Sequence, residues 1–178
     1  MKGRITFIII PLLAVLATAQ LIGQEPLPRG FGDLELGLSL EELRERLEGN
    51  SNFIYRGGPD VSLRPSDQER SIETEGRGYM ERGAFHFDEG ILYIITLFLN
   101  RERLDYFTLY RTLEGKYGSP EALTPERALW ENEETRITLE RPLTVKYLDI
   151  PRFQARIEEG TMEESLRIQA RNIFLDQF

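Results

Sequence analysis

The sequence predicts an α+β domain in which an antiparallel sheet, a hairpin plus a three-strand meander, packs in two layers with helices. Three observations carry that prediction. Residues 83–100 read as a hairpin: Phe85 and Phe87 alternate with Ala84, His86 and Asp88, a tight connection follows at Asp88-Glu89-Gly90, and the next nine residues contain one polar side chain, Thr96. Two stretches, around Leu40–Leu47 and Tyr106–Tyr117, repeat apolar residues at helical spacing behind a capping residue. Between them and the C-terminus lie three short alternating runs, residues 128–131, 135–140 and 143–149. The order helix, strands, helix, strands, helix suggests two similar halves, although no residue-for-residue repeat emerges from the sequence.

The chain opens Met1-Lys2-Gly3-Arg4 and runs into the apolar residues 5–17, and Ala17-Thr18-Ala19 supplies the small-x-small pattern of a signal-peptide cleavage site. Residues 1–19 are therefore expected to be a signal peptide, residues 20–32 a flexible tether, and residues 33–178 a single domain. A retained anchor is the minority reading, because the apolar stretch extends to Gly23 and approaches the ~20 residues that span a bilayer. The localisation expected is export, to the periplasm or beyond, without membrane insertion after cleavage. No cysteine occurs in the chain, which excludes disulfides, thiolate chemistry and a lipid-bearing Cys. The net charge is −8 and becomes −10 when Lys2 and Arg4 are removed with the signal. That balance argues against nucleic acid as a partner.

In the first helix, Ser39 is placed as N-cap with Glu42 three residues on, and Leu38 and Leu43 stand where a hydrophobic staple would close. Leu40, Leu43 and Leu47 make the buried stripe, and Gly49-Asn50 the stop. Residues 52–55 form a short strand candidate. Residues 56–78 mix Gly and Pro with charge and read as a long loop in which 71–75 could pair as an edge strand. In the hairpin's second arm both faces are apolar, Ile91, Tyr93, Ile95, Leu97 and Leu99 on one and Leu92, Ile94, Thr96 and Phe98 on the other. Such a strand is expected to be covered on both sides. Asp105 caps the second helix, whose Tyr106, Leu109, Tyr110, Leu113 and Tyr117 face the core before Gly118 and Pro120 end it. The meander's outer face carries Arg136, Thr138 and Lys146. Pro151 opens a C-terminal helical part, and Gly160-Thr161 restarts a last helix with Thr161 as N-cap. On that helix Met162, Leu166 and Ile173 define one stripe, while Ile168 and Leu175 lie nearly opposite.

Catalytic signatures are scarce. The single histidine, His86, stands two residues from Asp88 and has no nucleophile tied to it, so triads and histidine-rich metal sites are not indicated. Acidic pairs occur at Glu131, Glu133 and Glu134, at Glu158 and Glu159, and at Glu163 and Glu164. None has the spacing of a calcium loop, and no phosphate-cradling glycine loop is present. No cofactor and no metal are expected, and a non-enzyme is favoured over an enzyme.

Two short patterns resemble known exported proteins. Gly37-Leu38-Ser39-Leu40-Glu41-Glu42-Leu43 resembles the opening segment of the small lipoprotein subunit of the outer-membrane β-barrel assembly machine. Lys116-Tyr117-Gly118-Ser119-Pro120 followed by Trp130 is similar to a K-Y-G-x-P…W pattern in uncharacterised periplasmic proteins. The chain lacks the lipidated Cys of the assembly subunit. The resemblance implies an envelope role and carries over no binding residue.

The function expected is that of a non-enzymatic exported domain binding another envelope protein, in an assembly or accessory role, with self-association as a further possibility. The contact residues expected are Arg56, Tyr79, His86, Trp130, Ile168 and Leu175. The alternatives are a small-ligand or inhibitory module in which the 56–78 loop closes a pocket against Tyr79 or Trp130, and a carboxylate hydrolase of the envelope.

Overall fold

A computed structural model describes residues 27–57, 61–63 and 69–175. The segment read as a signal peptide lies outside the described residues. The chain begins with a two-residue hairpin, β1 (Gly30–Phe31) and β2 (Leu34–Glu35), followed by α1 (Leu40–Gly49). The last residues of the stretch read as a tether are thus already paired.

Four strands follow, β3 (Val61–Leu63), β4 (Glu69–Glu75), β5 (Met80–Asp88) and β6 (Ile91–Leu99), then α2 (Tyr106–Tyr117). Four more strands, β7 (Ala122–Leu123), β8 (Arg127–Glu131), β9 (Thr135–Glu140) and β10 (Thr144–Asp149), lead into α3 (Ile150–Leu175). All eight join one antiparallel sheet in the order β3-β4-β5-β6-β10-β9-β8-β7. Each half is a helix followed by a four-strand meander, and the halves meet through their last strands, β6 and β10, with Leu97 opposite Val145 and Ile95 opposite Tyr147. Such mirrored order about one antiparallel pair is the topology of two copies of one unit related by an approximate two-fold axis.

The halves also match in sequence where their helices begin. Leu38-Ser39-Leu40, Leu43 and Leu47-Glu48-Gly49 correspond, at one constant offset, to Leu104-Asp105-Tyr106, Leu109 and Leu113-Glu114-Gly115. Both caps form as expected. Ser39 accepts from the Glu42 amide while the Glu42 carboxylate accepts from the Ser39 amide at 2.8 Å. Asp105 accepts from the Thr108 amide at 2.9 Å. Leu40, Leu43, Leu47 and Leu113 are buried in a single core with Phe85, Phe87, Leu97, Ile137 and Leu139, which puts both helices on one face of the sheet.

The central hairpin turns at Glu89 and Gly90, both at positive φ, as a two-residue connection between right-twisted strands requires. Two register shifts interrupt β5–β6. At one of them Phe87 pairs with Leu92 and His86 with Ile94, so Tyr93 is the extra residue of a bulge. The bulge changes the phase of the strand: Leu92, Ile95, Leu97 and Leu99 share the core, not the strict alternation expected from residue 91 onward.

Among the described residues the second face of β6 has no helical layer of its own along its length. Thr96 is buried, Ile94 and Phe98 are half-buried, and the Arg82 guanidinium lies 4.1 Å from the Phe98 ring centroid. The first turns of α3 cover one end, with Arg156 over the Tyr93 ring at 5.7 Å and Arg156 Nη1 donating to Asp88 at 2.9 Å.

Three further expectations are corrected. Residues 52–55 form no strand; only Phe53 makes an isolated bridge, to Gly76. Within residues 56–78, residues 71–75 do pair, as part of β4, but β3 lies outside them and takes the edge, and Ile72 is buried opposite Phe85. Residues 58–60 and 64–68 lie outside the described residues. Finally, α3 runs through Gly160 without a break, and Thr161 is an interior residue whose hydroxyl donates to the Ile157 carbonyl at 2.8 Å.

Candidate functional site

The sheet face that carries the core also carries a cavity of about 440 Å³. Its floor is the β6–β10 pair, through Leu97, Val145 and Tyr147, which alternate onto the core side of their strands. One wall is α2, where Leu109, Leu113 and Tyr117 recur every four residues along one face. The remaining side is the β1–β2 hairpin, which contributes Phe31. That hairpin is tied down at both ends. Arg29 donates to Asp149 at 2.5 Å and Glu134 at 3.3 Å, while Arg46 of α1 donates to the Asp33 carbonyl and Asn50 to the Asp33 carboxylate at 3.1 Å.

The lining is mainly apolar, and its polar groups stand at the edge: Thr112 and Lys116 on α2, Arg29 and Glu35 on the hairpin. Arg29 is already engaged by two carboxylates, whereas Lys116 has no ion-pair partner among the described residues. Within the cavity wall, burial pushes the Tyr147 phenol well above the usual tyrosine range, and the neighbouring Tyr117 adds to the shift. A volume in the range of small-molecule sites, an apolar body and a few polar groups at the edge are the attributes of a ligand pocket.

The second feature is α3. From Glu158 onward every side chain described is exposed, and Met162, Leu166, Ile168, Phe174 and Leu175 are each 46–65% accessible. The acids Glu158, Glu159, Glu163 and Glu164 occupy the first part of this projection and Arg167 and Arg171 the second. No helix among the described residues is long and apolar enough to cross a membrane.

The contact residues expected from sequence do not form one site. Ile168 and Leu175 are both on the projection of α3. Arg56 is exposed at a shallow polar cleft with Ile54, Glu73 and Arg82, and Tyr79 is exposed at a turn on the same half. His86 is half-buried on β5, where it pairs with Ser71 and Ile94. Trp130 is not a contact residue: it is 2% exposed, its indole Nε1 donates to the Gly118 carbonyl at 2.8 Å, and its ring lies 6.2 Å from that of Tyr110. That hydrogen bond joins the two halves of the K-Y-G-x-P…W pattern, which is a helix stop held by a core tryptophan. The pocket expected where residues 56–78 close against Tyr79 or Trp130 falls partly outside the described residues, and the apolar cavity that the structure describes lies beneath α2.

Sequence reasoning missed Leu97, Val145 and Tyr147 as a cavity floor, because core residues and pocket-lining residues carry the same apolar pattern. The signal that could have found it is the tyrosine content of α2, assigned to the core as a whole. Glu131, Glu133 and Glu134 stand at the β8–β9 connection, where Glu131 is held by Arg136 and Glu134 by Arg29. Among the described residues no three His, Asp or Glu side chains gather so as to hold a metal ion.

Neither the curated proteins nor the solved structures contain a match to this chain. A family profile does match: that of the TP0088 domain, over residues 29–159. The matched region contains the whole sheet, α1, α2 and the docked start of α3, and ends where α3 leaves the domain.

Proposed function

The chain belongs to the TP0088 domain family, and from that premise we propose that it is an exported, non-enzymatic domain that works in the cell envelope by binding another protein through α3. The observation that carries this reading is the projection of α3 beyond Glu158. A helix of that length whose described side chains are exposed gains little from intrinsic propensity alone, since most helical stability in proteins comes from burying an apolar face. Its apolar residues lie on more than one side, which suits insertion between elements of a partner better than lying on a flat surface. Acid in the first part and base in the second favour an antiparallel helix of the same charge order as the element that receives it.

Export is supported by the basic start and apolar run of residues 1–19, and an envelope role by the two patterns shared with exported proteins. The test is a photo-crosslinking residue placed at Leu166 or Ile168 in cells that export the protein. A discrete adduct at these sites, absent with the same probe at exposed Glu102, is expected. Adducts absent at both α3 sites would overturn the reading.

A further inference from the structure

We infer that the cavity beneath α2 is a binding site for a single-chain amphiphile with an anionic head, such as a long-chain fatty carboxylate. Protein interiors rarely leave voids larger than a water, since unfilled volume forfeits contacts on every lining side chain. Here a pocket of about 440 Å³, open to solvent on one side, stands over the middle of the sheet, against side chains that are otherwise core: Leu97 is 1% exposed, Val145 4% and Tyr147 5%. Neither the floor nor the roof is free to collapse into it. The floor is the hydrogen-bonded β6–β10 pair, and the roof hairpin is fixed by the Arg29 and Asp33 contacts. Of the matched helix positions, Leu40, Leu43 and Leu47 of α1 are all buried, whereas on α2 only Leu113 is buried and Tyr106 and Leu109 are half-buried, so α2 packs less closely on the sheet than its counterpart.

The chemistry of the site selects the class. The wall offers leucine, valine and aromatic side chains, and Tyr147, whose burial favours its neutral form. An extended hydrocarbon is the body that such a wall desolvates most favourably. At the edge, Lys116 is a cation with no ion-pair partner among the described residues, in a chain of net charge −8. A carboxylate head placed there gains a charge-assisted hydrogen bond. Glu35, also at the edge, opposes an anion and so sets an upper limit on affinity.

The experiment is isothermal titration of the full chain with dodecanoate and hexadecanoate, and with dodecanol as the uncharged analogue. Carboxylate binding is expected, weakened about tenfold by Lys116→Gln with dodecanol unaffected. Glu35→Gln should tighten the carboxylate alone. Leu113→Trp, which fills the cavity, should abolish binding of both. Should that variant fail to fold, the Lys116 and Glu35 variants, which alter only edge groups, still decide. No carboxylate binding, or equal loss of acid and alcohol on Lys116→Gln, overturns the assignment. Binding that appears only after removal of residues 20–26 would give the cavity to the chain's own N-terminal segment and overturn it as well.

Discussion

At the residue scale, two positions show how a single side chain, or its absence, decides packing. A Cβ on Gly83 would stand 2.6 Å from Cε1 of Phe53 and 3.0 Å from Cε2 of Phe85, the two rings that pack edge to face at 5.8 Å. Gly83→Ala should therefore lower stability by about 1–3 kcal/mol in a denaturant titration, as overpacking of a filled core does. Trp130→Phe leaves the Gly118 carbonyl without its indole donor and should lower stability by about 1–3 kcal/mol.

Tyr147 gives a pH signature. Its phenol is raised above the ordinary value of 10.0, so the folded protein keeps a proton that the unfolded chain releases. Its contribution is complete below pH 10.0 and declines as pH rises towards the folded value. Denaturation midpoints of wild type and Tyr147→Phe should accordingly converge or cross above that pH, the wild type losing stability more steeply. Parallel pH profiles would contradict the buried setting of this hydroxyl.

At the scale of elements, the capped helix starts follow from local chemistry, and they titrate in the opposite sense. The Asp105 carboxyl is held below its ordinary 3.8 by hydrogen bonds from the Thr108 hydroxyl and the Thr108 amide. Stability from this group is present above pH 3.8 and lost as pH falls through the lower folded value. Asp105→Asn retains a capping oxygen without the titration, so the gap between it and wild type should close on acidification. Ser39→Ala should reduce thermal stability by ~1 kcal/mol through loss of the amide contact.

The two parts of α3 differ in the same physical terms. Its first turns hold Asp88 through Arg152 and Arg156, while the described side chains of the projection are exposed. Truncation after Glu159 should leave the melting temperature nearly unchanged and abolish the photo-crosslinked adduct, whereas Asp88→Ala should lower the melting temperature by releasing the helix start.

At the scale of the whole molecule, the sheet is continuous because each half presents its last strand to the other. A half on its own would expose β6 or β10 as a long apolar edge, a template for aggregation. Separate expression of residues 27–100 should therefore yield self-associated or insoluble material, and a stable monomeric half, read by light scattering, would show that the halves fold independently. Export is tested at the same scale by N-terminal sequencing of the protein from an envelope fraction, where a mature start at Gln20 is expected and a start at Met1 favours the anchor.

The sequence by itself determined the α+β class, both helix caps, the central hairpin and the strands of the meander, because each depends on neighbours within a few residues: Ser39 on Glu42, Asp105 on Thr108, Phe85 on Phe87. It also contained the repeat, in the Leu-Ser-Leu and Leu-Asp-Tyr helix starts, although so few matching positions stand out only once the topology supplies the alignment. Tertiary structure alone decided the rest. The bulge at Tyr93 reset which face of β6 is core, because a single extra residue inverts a period of two. Burial took Trp130 out of the candidate site, and the gap between α2 and the β6–β10 pair put one where Leu97, Val145 and Tyr147 had read as ordinary core. A linear pattern records that a side chain is apolar; whether another side chain, a ligand or a partner covers it is set by distances between segments far apart in the chain.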